Sequence, residues 1–122
     1  MAILFNGLDF KAMQSSLDAL SLKQKVISNN LANIETPGFK ASKVTFEDAL
    51  ENARNEKNAE KYNFQAKITK DETTSARPDG NNVSVDKEQL ELYNTYLQSV
   101  YLYQKISSQM TDMQYVLGQA FK

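Results

Sequence analysis

The sequence predicts a mainly α protein: long N- and C-terminal helices pairing as an elongated coiled-coil-like bundle. Between them lies a polar middle segment holding a short helix, with room for a short strand or hairpin. Three observations lead there. Apolar residues recur at alternating three- and four-residue spacings at both ends of the chain. A Pro-Gly pair closes the first of these runs. The second run is too long for a compact globule. The 122 residues packed as a sphere would have a radius of gyration of about 14 Å, whereas ~35 residues of helix extend roughly 52 Å. One elongated domain, residues 1–122, is the expectation.

The first helix is placed over residues 8–35. Phe10, Met13, Leu17, Leu20, Ile27, Leu31 and Ile34 line one stripe, interrupted only by Gln24. That pattern is a packing seam against a neighbouring helix, and Asn6 or Asp9 can cap its start. Gln24 is uncharged, so it either turns its amide to water or fixes register at some cost in stability. Pro37 pushes Thr36 out of the helical region, and Gly38 suits the positive φ of a type II turn. Thr36-Pro37-Gly38-Phe39 therefore reads as a helix stop followed by a turn.

Residues 36–85 are heterogeneous. Thr45 and Asp48 have capping-box spacing, and Phe46, Ala49, Leu50 and Ala53 then share a face, which predicts a short helix to about residue 57. Tyr62, Phe64, Ala66 and Ile68 alternate with polar residues, the pattern of a short strand. Lys70 to Pro78 lacks periodicity and reads as a mobile loop. Asp79-Gly80 marks a turn.

The last helix is placed over residues 86–121, with Asp86 and Gln89 at capping-box spacing. Tyr96, Tyr103, Met110 and Leu117 recur every seven residues along its centre line. Tyr93, Val100 and Phe121 flank that line on one side; Leu92, Ile106, Met113 and Ala120 flank it on the other. Gln98, Lys105, Gln109 and Asp112 hold the opposite face. The stripe is wider than a two-helix seam requires, so part of it is expected to be covered by other chains. Met13, Leu17, Leu20, Ile27 and Leu31 are the candidates for the intramolecular and neighbour seam, with Tyr96, Tyr103, Met110 and Leu117 facing them. Periodicity alone leaves parallel and antiparallel pairing open.

Composition narrows the chemistry. There is no His, Cys or Trp, and 14 Lys plus Arg against 15 Asp plus Glu give a net charge of −1. The usual ligands of zinc, haem and iron–sulfur groups are missing, as is the imidazole base of Cys–His and Ser–His–Asp catalysis. Near-neutrality argues against a nucleic-acid footprint. No cofactor and no small-molecule substrate are expected. The opening Met1-Ala2-Ile3-Leu4-Phe5 stretch has no positive segment before it and is too short for a signal h-region or a membrane span. Asn82-Val83-Ser84 fits the N-glycosylation pattern incidentally, and Asp79-Gly80-Asn81 lacks the spacing of a calcium loop. Two other classes remain open from the residues: a soluble helical adaptor or chaperone holding a partner helix, and a small enzyme using carboxylates or lysine. The second would need a pocket with a strongly perturbed Glu or Lys.

The most specific signal is Asn29-Asn30-Leu31-Ala32-Asn33 running into Thr36-Pro37-Gly38-Phe39-Lys40. Asn29 and Asn33 are i,i+4 neighbours, so both amides can reach one partner surface or the helix-end carbonyls. The segment resembles the Asn-Asn-x-Ala-Asn-x-x-Thr-Pro-Gly-Phe/Tyr-Lys signature of bacterial flagellar rod and hook proteins. Val44, Phe46 and Glu47-Asp48-Ala49-Leu50, together with Asp79-Gly80-Asn81-Asn82-Val83, Asp86 and Glu88, are similar to the proximal-rod branch of that family. The resemblance covers roughly residues 8–50 and 79–121. It implies a structural subunit of the rod, with Asn29, Asn30, Ala32, Asn33, Thr36, Pro37, Gly38 and Phe39 shaping the helix end that meets adjacent subunits. It also implies self-assembly with other rod subunits near the export gate and membrane ring, after type III export without a cleaved signal peptide. No enzymatic activity is implied.

Overall fold

The computed structural model describes residues 7–46, 66–74 and 76–121. Helix α1 spans Gly7–Ala32, strands β1 and β2 span Ser42–Thr45 and Lys67–Lys70, and helix α2 spans Val85–Ala120. At ~1.5 Å per residue the 26 residues of α1 extend about 39 Å, and the 36 of α2 about 54 Å. The helices pack along each other. Asn30 meets Glu88 and Lys23 meets Glu91, so contacts descend α1 as they ascend α2. The pair is antiparallel.

α1 ends three residues before the expected boundary, in a run of turns. Phe39 N–H donates to Thr36 O at 3.3 Å, and Gly38 sits between them at φ 73°. That is the expected turn, with glycine supplying the left-handed position. α2 begins slightly earlier than expected. Ser84, extended at φ −107° and ψ 115°, is the N-cap residue, without a side-chain capping bond. Asp86 and Glu88 lie instead in the first turn, where carboxylates are favoured by the exposed N–H groups and the helix dipole.

The middle differs more. β1 and β2 pair antiparallel with Ser42 opposite Lys70 and Thr45 opposite Lys67. Thr45 closes β1 rather than opening a helix, and Phe46 follows in no regular element. The remainder of the expected short helix, and Tyr62 and Phe64 of the expected strand, lie outside the described residues. The strand itself is found at Lys67–Lys70, so Ala66 precedes it and Ile68 lies within it. The described residues between β2 and α2 form no helix or strand, as expected of a loop, and the loop starts in a hydrogen-bonded turn. The Asp71 carboxylate accepts from the backbone N–H groups of Thr73 and Thr74 and from both of their hydroxyls.

The core runs between the helices. Met13, Ala19, Leu20, Val26 and Ile27 of α1 are buried, with Ala41 and Val83 closing one end. Leu17, Gln24 and Leu31 are half-buried on the edge of the stripe, so its buried face is rotated toward Ala19, Val26 and Asn30. On α2 the covered line is Leu92, Thr95, Ser99, Leu102, Ile106, Gln109, Met113 and Val116, again in a four–three alternation. Tyr96, Tyr103, Met110 and Leu117, expected to face α1, point outward instead, 46–62 % exposed. The physical reason is size and polarity. Small Thr95 and Ser99 let the helices approach closely, whereas tyrosine hydroxyls require water or a partner.

Candidate functional site

Two features stand out: a clamp of three asparagines at the shared end of the helices, and the outward face of α2. The clamp begins with Asn30, in the last turn of α1 and fully buried. Its Nδ2 donates to Ser42 O at 2.8 Å and to Glu88 Oε2 at 3.2 Å, while its Oδ1 accepts from Ser42 N at 2.9 Å. The side-chain amide thus pairs with β1 as a peptide of a neighbouring strand would. Asparagine is suited to this because its amide carries both donor and acceptor.

Asn81, also fully buried, gathers the carbonyls of the turn that follows α1. Its Nδ2 donates to Asn33 O, Ile34 O and Thr36 O at 2.8, 2.9 and 2.9 Å, and its Oδ1 accepts from Val83 N at 2.8 Å. Arg77 Nη2 also donates to Ile34 O. Carbonyls leaving a helix end need such partners. Asn82 completes the set. Its Oδ1 accepts from Ala41 N at 2.6 Å and its Nδ2 donates to Asp71 O at 2.5 Å. Asp71 N in turn donates to Ala41 O at 2.8 Å.

Backbone contacts close the clamp. Gly38 N donates to Asp79 O at 2.8 Å, and Lys40 Nζ reaches Gly80 O at 2.9 Å. Gly80 has φ 85°, and a Cβ there would sit 3.3 Å from Gly38 Cα. Glycine at 80 is therefore needed twice, for its dihedral and for the close approach. The expected turn at Asp79-Gly80 is present.

The signature residues take distinct positions. Asn30 is buried. Asn33 Nδ2 donates to Asn29 O at 2.8 Å and its Oδ1 accepts from Thr36 Oγ1 at 3.1 Å, so the i,i+4 pair does serve a helix-end carbonyl. Asn29, Ala32, Thr36, Pro37 and Gly38 are exposed, and Phe39 is half-buried. Asn81 and Asn82 show in the sequence as a turn motif and as part of the second stretch of the family resemblance, with no sign of their buried role. The carbonyls that Asn81 gathers lie 45–48 residues away and the Ala41 N–H that Asn82 accepts lies 41 away, beyond the range of periodicity.

Electrostatics follow the packing. The Lys43 ammonium, 2.7 Å from Asp71 Oδ2, and the Thr74 and Thr73 hydroxyls hold the Asp71 carboxyl far below the usual range. Burial pushes the Glu88 carboxyl upward against the opposing Asn30 hydrogen bond, with Glu91 adding to the rise and Lys43 reducing it. A cleft of about 450 Å³ lies beside these groups, floored by Val26, Ile27, Val44 and Leu90. Among the described residues no three His, Cys, Asp or Glu side chains converge as a metal site, and no helix is long and apolar enough to cross a membrane.

The second feature is the α2 surface. Leu90, Tyr93, Tyr96, Leu97, Tyr101, Tyr103, Met110, Tyr115, Leu117 and Phe121 are all exposed. α1 and α2 are flush at the clamp, so the ten extra residues of α2 overhang α1 at the far end by ~15 Å. Fold and clamp together define a packing protein: an antiparallel helix pair fastened at one end, with apolar surface to spare.

Comparison with known proteins gives that class its place. The family model described as flagella basal body rod protein matches residues 11–40, the first helix and its Pro-Gly turn. Flagellar basal body rod protein FlgB of Bacillus subtilis (strain 168) is 32% identical over 93% of this chain and 95% of its own length. FlgB of Buchnera aphidicola subsp. Acyrthosiphon pisum is 29% identical over 93% and 98%, and that of Borrelia hermsii 40% identical over 59% and 67%. The chain belongs to the FlgB family of flagellar basal body rod proteins, which are structural rather than enzymatic.

Proposed function

We propose that this chain is a subunit of the proximal rod, polymerising through its N- and C-terminal helices into the shaft that carries torque across the cell envelope. Its partners are copies of itself and other rod subunits, at the base of the rod near the export gate and membrane ring. It reaches that position through the flagellar type III apparatus. The observation that carries the reading is the exposed apolar ladder of α2. A monomer leaving this much Tyr, Leu and Met surface in water gains by covering it, and aromatic side chains and Met are enriched at interfaces. A heterologous contact that does not close on itself yields a helical filament, the geometry a shaft requires. Met13, Leu17, Leu20, Ile27 and Leu31 hold α1 in the pair and edge the neighbour contact. Tyr96, Tyr103, Met110 and Leu117 make the contact itself. Asn29, Ala32, Thr36 and Pro37 present the helix-end turn to the adjacent subunit.

The test is Tyr103→Asp combined with Met110→Asp in the chromosomal gene. The isolated double variant should keep the parent's circular dichroism, because both side chains are outside the seam. Cells carrying it should lose motility and yield basal bodies without a rod. Motile cells with complete rods would refute the assignment of this face.

A further inference from the structure

The seam between α1 and α2 holds the helices side by side without determining how far one slides along the other. One row of it repeats in sevens: Met13, Leu20 and Ile27 on α1, and Leu92, Ile106 and Met113 on α2, with the small Ser99 in the same row. A slip of one heptad, ~10.5 Å, therefore keeps Met13, Leu20 and Ile27 against this row. The seam hydroxyls of Thr95, Ser99 and Ser16 add no restraint, because they bond within their own helices. Thr95 Oγ1 donates to Glu91 O at 2.6 Å, Ser99 Oγ to Thr95 O at 2.9 Å, and Ser16 Oγ to Ala12 O at 2.7 Å. The overhang also makes room. With ten more residues in α2 than in α1, moving α1 one heptad toward the α2 C-terminus leaves every residue of α1 on its partner.

The links that distinguish registers lie at one end. Among the described residues, the cross-helix hydrogen bond (Asn30 to Glu88) and the ion pair (Lys23 to Glu91) both fall in the first two turns of α2. Beside them Asn81 holds the turn after α1, two residues before the extended Val83-Ser84 segment that starts α2. We propose that the asparagine clamp is the device that sets the axial register of the helix pair. Buried polar groups do this in coiled coils, where a single amide selects one alignment among several of similar energy. Here the fully buried amides sit at the end of the pair rather than inside it. Register matters because it decides which exposed side chains of α2 lie beside which exposed side chains of α1. The inference concerns the isolated chain and stands apart from the proposed place in the rod.

The chain has no cysteine, so spin labels can be placed cleanly. Lys25→Cys and Asp112→Cys are exposed, outside the clamp, the seam and the ion pair. Opposite positions sum to between 114 and 118 by the Lys23–Glu91 and Asn30–Glu88 contacts, so Lys25 faces about residue 91. The labels are then separated by roughly 31 Å along the axis, and a one-heptad slip shortens this to about 21 Å. Electron–electron double resonance on the full-length parent should give one distance. Asn81→Ala, and separately Gly80→Ala, should add a second population about 10 Å shorter while helical circular dichroism persists. Leu20→Ala, which weakens the seam and leaves the clamp intact, should keep the single parental distance. The proposal is overturned by an unchanged single distance in both clamp variants, or by loss of helix in both. A shifted distance in Leu20→Ala, or a broad distribution in the parent, overturns it as well.

Discussion

Replacing Asn81 by aspartate changes one group and tests the clamp at its most buried atom. The parent Nδ2 has two hydrogens for three carbonyl oxygens, at 2.8, 2.9 and 2.9 Å from Asn33, Ile34 and Thr36, so one is shared. Asn81→Asp keeps the shape and the acceptor for Val83 N but removes both hydrogens. Two lost hydrogen bonds cost about 2 kcal/mol at ~1 kcal/mol each. At neutral pH the new carboxylate also faces three oxygens at a position with no solvent exposure. An uncompensated buried charge costs about 3–5 kcal/mol. Arg77 Nη2 already lies at Ile34 O and offsets part of this, so about 4 kcal/mol in total is expected at pH 7. That is a large share of a stability of ~5–15 kcal/mol.

The cost depends on pH, with a definite sign. Burial among carbonyls raises the native-state pKa of the new carboxyl above its unfolded value of about 3.9. Between those values the native state binds more protons than the unfolded state, so the deficit against the parent grows as pH rises. Below about pH 3.9 the group is neutral in both states, and its O–H can serve one carbonyl. The deficit should then shrink to about 1–2 kcal/mol, the cost of the remaining lost donor. Urea titrations of parent and variant at pH 3.5 and pH 7, followed by circular dichroism, measure both figures. Equal deficits at the two pH values, or a deficit under about 1 kcal/mol at pH 7, would show that the Asn81 amide does not hold the end of α1.

Other outcomes follow from the same geometry. Gly80→Ala places a Cβ 3.3 Å from Gly38 Cα at φ 85°, and the left-handed dihedral alone should cost roughly 1–2 kcal/mol in thermal unfolding. Glu88→Gln keeps an acceptor for Asn30 Nδ2 and removes a charge that burial disfavours. The variant should be more stable than the parent at pH 7, and the advantage should fade as pH drops toward the ordinary glutamate value of 4.5, where Glu88 becomes protonated in both states. Leu20→Ala empties a buried seam position and should lose about 2–5 kcal/mol. Tyr103→Ala, on the exposed face, should stay within about 0.5 kcal/mol of the parent; denaturant midpoints decide both.

What was legible in the sequence follows the range of the interactions involved. The two helices and the Pro37-Gly38 stop rest on spacing and dihedral preference, which are local, and both are present. The outward turn of Tyr96 and Tyr103 was not legible. Apolar bulk recurs on that line, but helix packing selects the residues one position earlier, Thr95 and Leu102, with small Thr95 and Ser99 allowing the close approach. Asp86 reads as the cap of α2 because it shares the capping-box spacing with Gln89. The start at Val85 depends on where Val83 is buried against the clamp. Thr45 shows the same ambiguity: a β-branched residue with a favourable capping partner pairs instead with Lys67, 22 residues away. The clamp was the least visible part. Asn81 acts on residues 45–48 positions earlier and Asn82 reaches Ala41, 41 positions earlier, and the residue types show only that a turn is present.

The geography of the molecule separates what holds the monomer from what it offers to neighbours. Asn81 lies just before α2, and Tyr103 lies 18 residues along that helix from Val85, ~27 Å from its start. Effects of substitutions that far apart, with no shared partner, add within about 0.3–0.5 kcal/mol. The clamp satisfies its polar atoms internally and contributes to folding whether or not another chain is present. The α2 ladder contributes little to the isolated pair because its side chains face water in it. Stability and assembly can therefore be varied independently. A clamp variant such as Gly80→Ala should weaken rods in proportion to the folded fraction, and conditions that restore folding should restore it. A ladder variant should fold fully and still fail to assemble at any concentration of stabilising osmolyte. If osmolyte rescued the ladder variant, or left the clamp variant defective although folded, the two roles would not be separable along α2.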